Sequence, residues 1–128
     1  MVLFDKIPLK NGLTLELWDA SKEEIRGLWT VKVIARCKIE IKKEYFEEFS
    51  SGSEWYKQLI KIKGNYVIYE QQKKKSLVIF SEKERVFKIL VERLKKHIFP
   101  YVSNQLFPKN VILKTLSELV KTDSTYFS

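Results

Sequence analysis

The cationic residues in the middle of the chain are the side chains whose spacing best fits a chemical task. Four of them alternate along one predicted strand, and residues two apart on a strand share a face. Three more are consecutive, between two predicted strands. A basic sheet face with a basic loop could follow the phosphate backbone of a nucleic acid. The candidate nucleic-acid-binding residues are therefore Lys32, Arg36, Lys38, Lys42, Lys73, Lys74 and Lys75.

Composition offers a second explanation of the same charge. The 128 residues carry a formal charge of +8, and lysine supplies 20 of the 24 cationic side chains. Arginine is preferred for bidentate recognition of phosphates and bases, whereas Lys and Glu together are enriched in proteins of hyperthermophiles. Lys and Glu make up 33 residues of this chain. The charge is therefore explained either by an anionic ligand or by growth temperature and genome composition.

Catalytic chemistry has little support in the residue types. One Cys and one His cannot build a Cys/His zinc site, and the four glycines form neither a phosphate-binding loop nor a dinucleotide fingerprint. Cys37 lies in an alternating segment, which predicts a buried and inert thiol. Asp19, Glu23 and Glu24 cluster in a predicted connection and could line a pocket. We predict no catalytic residue, metal or cofactor, and keep an enzyme with a carboxylate-lined pocket as the third alternative.

The elements that position these residues begin with strands. The predicted strands cover residues 2–7, 13–18, 28–42, 65–72 and 76–80. Asn11-Gly12 favours a tight hairpin turn between the first two, because both residues tolerate positive φ. Lys73 to Lys75 form the predicted tip of a second hairpin. Residues 19–27 form a connection in which Ser21 and Glu24 predict a helical turn.

Three amphipathic segments predict the helices. They cover residues 43–64, with a break near Ser50–Gly52, residues 81–99, and a last segment that begins at Pro108. Strands that run together, with helices between and after them, are typical of an α+β fold. We predict an antiparallel sheet of about five strands with two to three helices packed on one face. We also predict one domain over residues 1–128, with a frayed tail from about residue 122.

Two stretches of the chain carry a resemblance to other proteins. Asn11-Gly12-Leu13-Thr14-Leu15-Glu16-Leu17-Trp18-Asp19-Ala20-Ser21 resembles the opening of a family of small uncharacterised bacterial proteins. Phe99-Pro100-Tyr101 and Phe107-Pro108 are similar to the C-terminal half of that family. The motifs are structural, and no function is attached to the family. The resemblance therefore implies one bacterial domain and carries over no site residue.

These observations favour a non-catalytic binding or protein-interaction domain. Its candidate interaction surface is an exposed sheet edge or the region around Trp18 and Phe107, with another protein or a second copy as partner. The alternative is a nucleic-acid-binding protein that uses the basic residues named above. No basic segment followed by an apolar run opens the chain, and the longest apolar runs have four residues. We therefore expect a cytoplasmic location and no membrane span.

Overall fold

A computed structural model describes residues 1–122 and has the predicted α+β fold, with a five-stranded antiparallel sheet and three α-helices. The strands are β1 Val2–Pro8, β2 Thr14–Asp19, β3 Lys22–Ile25, β4 Leu28–Glu40 and β5 Tyr66–Ile79. The α-helices are α1 Gly52–Lys63, α2 Lys83–Val102 and α3 Phe107–Thr122. Short 3₁₀ helices cover Lys43–Phe46 and Phe80–Glu82. The predicted frayed tail falls on residues 123–128, outside the described part of the chain.

Strand β4 is the centre of the sheet. It pairs with β2, β3 and β5, and β2 also pairs with β1. The register Leu15↔Cys37 in β2 continues as Lys22↔Thr30 in β3, so β2 and β3 follow one another along the same edge of β4. The helical turn predicted at Ser21 is wrong, because the Ser21 hydroxyl accepts a hydrogen bond from the Lys32 N–H of β4 (3.0 Å) instead of capping a helix.

The turn between β1 and β2 forms as predicted. Gly12 has φ 87°, and the Gly12 N–H donates to the Leu9 carbonyl. The side chain of Asn11 holds this turn to the end of α2. Its amide nitrogen donates to the carbonyls of Val102 (2.7 Å) and Asn104 (2.9 Å), and its oxygen accepts from the Leu13 N–H (3.1 Å). Asn11 therefore has a structural task that its turn propensity alone does not reveal.

The second predicted hairpin is wrong, because residues 66–79 form the single strand β5. Lys73, Lys74 and Lys75 lie inside it, where no Gly, Asn or Pro supplies a turn. The irregularity of β5 is at Leu77, which has φ 58°. Val78 is buried whereas its neighbours Leu77 and Ile79 are exposed. The three lysines are therefore positioned by strand geometry and do not sit on a loop.

The chain divides into two compact units. Unit 1 comprises Met1–Cys37 with Glu70–Asn104, and unit 2 comprises Lys38–Tyr69 with the described residues from Gln105 on. The core of unit 1 takes alternate residues of the strands and one stripe of α2, among them Leu15, Leu17, Val33, Ala35, Leu90, Leu94 and Ile98. The core of unit 2 contains Ile39, Phe46, Leu59, Ile112 and Leu116. The prediction of one domain over the whole chain stays a prediction.

Helix α2 is longer than the sequence indicates. The sequence predicts a helix over residues 81–99, but α2 continues through Pro100 to Val102. A proline so close to the end of a helix removes only one hydrogen bond, from the position of its own nitrogen. The Ser103 N–H then donates to the Phe99 carbonyl and closes the last turn. Phe99 is therefore held in regular helix and not in a loop.

Candidate polyanion-binding surface

The basic sheet face predicted from β4 is partly neutralised in unit 1. Arg36 donates from Nε to Glu70 Oε1 of β5, and its guanidinium lies 5.8 Å from the ring centroid of Trp18. Ile34, between Lys32 and Arg36 on this face, is buried. A paired arginine and a buried isoleucine leave less positive surface here than the alternating pattern predicts.

Two further predicted residues of this face belong to unit 2. Lys38 is exposed, with Nζ 4.1 Å from the ring centroid of Tyr66. Lys42 lies beyond the end of β4 at Glu40, and its Nζ is 4.0 Å from Glu44 Oε1. The prediction that Lys42 shares a strand face with the others is wrong, because the alternating sequence pattern continues past Glu40, where β4 ends.

The run Lys73–Lys75 lies within β5, at an edge of the sheet. Among residues 1–122, β5 pairs only with β4, so its other side is an edge of the sheet. Lysines on an edge strand discourage edge-to-edge pairing with other chains. Lys74 and Lys75 are exposed, whereas Lys73 is half-buried. Since consecutive strand residues point to opposite faces, the side chains of Lys73 and Lys74 lie on opposite faces of the sheet.

Lys73 lies beside residues of α2 that are not among the nucleic-acid contacts predicted from the sequence. With Arg93, Lys96 and His97, it lines a shallow depression of about 320 Å³. A neighbouring depression of about 450 Å³ is lined by Glu92, Arg93, Lys95, Lys96 and Phe99. Arg93 and Lys96 line both, so the two depressions adjoin. We call the surface formed by Lys73, Glu92, Arg93, Lys95, Lys96, His97 and Phe99 the basic groove.

The basic groove carries more cationic side chains than carboxylates. Glu92 is its one carboxylate, and Glu92 Oε1 lies 3.9 Å from Lys95 Nζ. Within residues 1–122, no carboxylate oxygen lies within 4.0 Å of a side-chain nitrogen of Lys73, Arg93 or Lys96. Three cations from two elements therefore face solvent together. An arrangement of this kind attracts anions electrostatically.

One feature of the sequence could have indicated the α2 residues of the basic groove. Arg93 and Lys96 are three apart and share one side of the helix. Arg93 has no acidic residue three or four positions away on either side, so no helical ion pair is available to it. Helical spacing alone predicts that these residues form a solvated helix face. The sequence does not predict that Lys73 lies beside them, because this depends on β5 being one continuous strand.

The predicted interaction residues Trp18 and Phe107 are both engaged within their own units. Phe107 is only 7% exposed and packs edge-on against Tyr69, with 4.9 Å between ring centroids. Its assignment to an exposed surface is therefore wrong, because its ring is buried in unit 2 against Tyr69. Trp18 is half-buried, and its indole N–H donates to Glu16 Oε1 (3.2 Å).

The carboxylates considered for catalysis serve local structure. Asp19 Oδ1 accepts from the Ser21 N–H (2.9 Å), and Glu23 Oε2 accepts from the Gly27 N–H (3.2 Å). Glu24 pairs with Lys22 at 3.5 Å. Glu23 and Glu24 lie at a register shift in β3, and each is engaged by a group close to it in the sequence. This geometry does not direct the carboxylates into a common pocket.

Cys37 is buried on the core side of β4, as its position in the alternating pattern predicts. Burial, with a smaller contribution from Glu16, raises the pKa of its thiol from 9.0 to about 11. A thiol in this state is a poor nucleophile at neutral pH, because the thiolate is the reactive form. In the described part of the chain, no three His, Cys, Asp or Glu side chains group closely enough to hold a metal ion.

Comparison with protein-family models, with curated proteins and with solved structures finds no match to this chain. The resemblance to a family of small bacterial proteins therefore stays a prediction. None of the helices described has the length and apolar character needed to cross a bilayer. The case for a function consequently depends on the chemistry of the surfaces described above.

Proposed function

We propose that this protein binds nucleic acid through the basic groove of unit 1. The observation that carries the proposal is the meeting of Lys73 from β5 with Arg93 and Lys96 from α2. Among residues 1–122, none of the three has a carboxylate oxygen within 4.0 Å. Like charges held together destabilise the folded chain. A polyanion that spans the groove removes this repulsion, because each phosphate contacts one or two of the cations.

The basic groove is a better candidate than the sheet face for this task. Arg36 is paired with Glu70, and Lys42 lies close to Glu44. A phosphate would have to compete with a carboxylate at each of these positions. It would meet no such competitor at Arg93, and an arginine offers a planar fork of donors that matches phosphate oxygens.

The protein-interaction alternative has lost part of its support. Phe107 is buried in unit 2, so it offers no exposed apolar surface. Three uncompensated cations within one groove favour an anionic partner over an apolar one. We therefore favour nucleic-acid binding over protein interaction. Of the contacts predicted from the sequence, Lys73 is the one that belongs to the basic groove.

The salt dependence of binding tests this proposal. The affinity for a labelled oligonucleotide of about 20 nucleotides is measured by fluorescence anisotropy from about 50 to 200 mM salt. Each phosphate contact contributes about −0.7 to −0.9 to the slope of log K against log salt. The triple variant Lys73→Gln, Arg93→Gln, Lys96→Gln should therefore weaken binding and make the slope shallower by about 2.

A matched variant controls for net charge. Lys57, Lys61 and Lys63 are exposed on α1, and replacing all three with Gln removes the same charge from a different surface. We expect this control to retain most of the slope. Equal losses in the two variants would show that only net charge matters, and no salt-dependent binding by the unmodified protein would refute the proposal.

A further inference from the structure

We propose that the nucleic acid taken by the basic groove is single-stranded and that one of its bases stacks on Phe99. This inference rests on the proposed function. It adds that the ligand is single-stranded and that Phe99 is the residue on which a base stacks. Phe99 lines the same depression as Lys95 and Lys96 and is 39% exposed. The groove therefore combines an aromatic ring with cations.

The position of Phe99 on α2 sets it apart from the core. Leu94, Ile98 and Val102 recur at intervals of four and are buried, which marks the apolar stripe of the helix. Phe99 follows Ile98 and is therefore turned about 100° around the axis. Within residues 1–122, no other aromatic ring packs against Phe99. With 39% of its surface exposed, Phe99 is partly accessible to a ligand.

The spacing along α2 orders the contacts. Arg93, Lys96 and Phe99 succeed one another at intervals of three, and neighbours at this interval are about 5–6 Å apart on a helix surface. Two cations followed by a ring can hold two phosphates and then an unstacked base. Lys73 contributes a further cation beside Arg93 and Lys96 from β5.

A single strand uses all of these groups, whereas a duplex does not. Single-strand-binding proteins combine a positive groove for the backbone with aromatic side chains on which bases stack. The bases of a duplex are already stacked on one another, so a duplex presents only its phosphates to the groove. Phe99 would then remain an exposed apolar ring among charges. The arrangement therefore favours the strand whose bases are accessible.

The test compares three oligonucleotides of equal length by fluorescence anisotropy: a single strand, its duplex, and an abasic strand that has the backbone without bases. We expect the protein to bind the single strand about tenfold more tightly than the abasic strand. Phe99→Leu should remove this preference while leaving the salt slope and the abasic affinity unchanged. Phe99→Trp should keep the preference, since it keeps a ring.

A matched control and the pattern of outcomes separate the two proposals. Phe80 is an exposed aromatic residue of unit 1 outside the groove, and Phe80→Leu should leave all three affinities unchanged. Absence of salt-dependent binding to every oligonucleotide overturns the proposed function and this inference together. Normal salt-dependent binding with no effect of Phe99→Leu, or with equal affinity for duplex and single strand, overturns this inference alone.

Discussion

Replacing Asn11 tests whether one turn residue joins the first hairpin to the end of α2. Its side chain makes three hydrogen bonds, two as donor to the carbonyls of Val102 and Asn104 and one as acceptor from the Leu13 N–H. A hydrogen bond contributes about 0.5–1.5 kcal/mol to stability. Since Asn11 is half-exposed, water can replace part of what is lost. We expect Asn11→Ala to lower the free energy of unfolding by about 2–3 kcal/mol.

Asn11→Asp distinguishes the donor bonds from the turn itself. The carboxylate keeps the acceptor for Leu13 but loses both donors and faces two carbonyl oxygens. This repulsion raises the pKa of the introduced carboxyl above its unfolded value of about 3.9. A raised pKa means that stability is greatest at low pH and is lost as pH rises through the folded-state pKa. The deficit relative to the unmodified protein should therefore be larger at about pH 7 than at about pH 3.

Urea unfolding followed by circular dichroism measures these differences. Asn110→Ala is a suitable control, because Asn110 is exposed on α3 and its substitution should change stability by less than about 0.5 kcal/mol. The reasoning would be refuted by a loss below about 0.5 kcal/mol for Asn11→Ala. A deficit for Asn11→Asp that does not depend on pH would equally contradict it.

Two further predictions concern the interior of each unit. Because the pKa of Cys37 is raised in the folded state, the unfolded chain releases its thiol proton between about pH 7.5 and 10 while the folded chain retains it. Over this pH range, the free energy of unfolding of the unmodified protein should fall by about 1.4 kcal/mol more than that of Cys37→Ala. Identical pH dependence in reducing urea titrations of the two proteins would contradict this. A Cβ at Gly52 would lie 1.9 Å from the Phe46 carbonyl oxygen, so Gly52→Ala should cost about 1–3 kcal/mol in thermal unfolding. Ser53→Ala, at an exposed position of the same helix, should change stability little, and an equal loss there would show that the close contact is not the cause.

The elements predicted best are those whose own residues carry the periodicity. β4 alternates from Trp29 to Ile39, and its apolar residues cover a core, so pattern and structure agree. The number of strands is also right, but two of the five differ from the prediction. The sequence pattern does not predict β3, because Glu23 and Glu24 are weak strand formers and only pairing with β4 makes their segment extended. The pattern divides β5 into two strands, because a run of lysines resembles an exposed hairpin tip.

The site was harder to predict because it depends on a contact between distant residues. Lys73 and Arg93 are separated by twenty positions, and no helical or strand period links them. A lysine at the tip of a predicted hairpin has no predicted contact with α2. The half-burial of Lys73 is a tertiary property, and it follows from the direction in which β5 turns that side chain.

Two explanations of the lysine run make different demands on its members. Protection of the β5 edge requires charge on residues that solvent reaches, and Lys74 and Lys75 meet this requirement. It does not require Lys73 to lie half-buried beside Arg93 and Lys96, where like charges repel one another. Any polar side chain at position 73 would leave the edge protected by its two neighbours. The proposed anion in the basic groove would account for a cation at that position, whereas protection of the sheet edge does not call for one there.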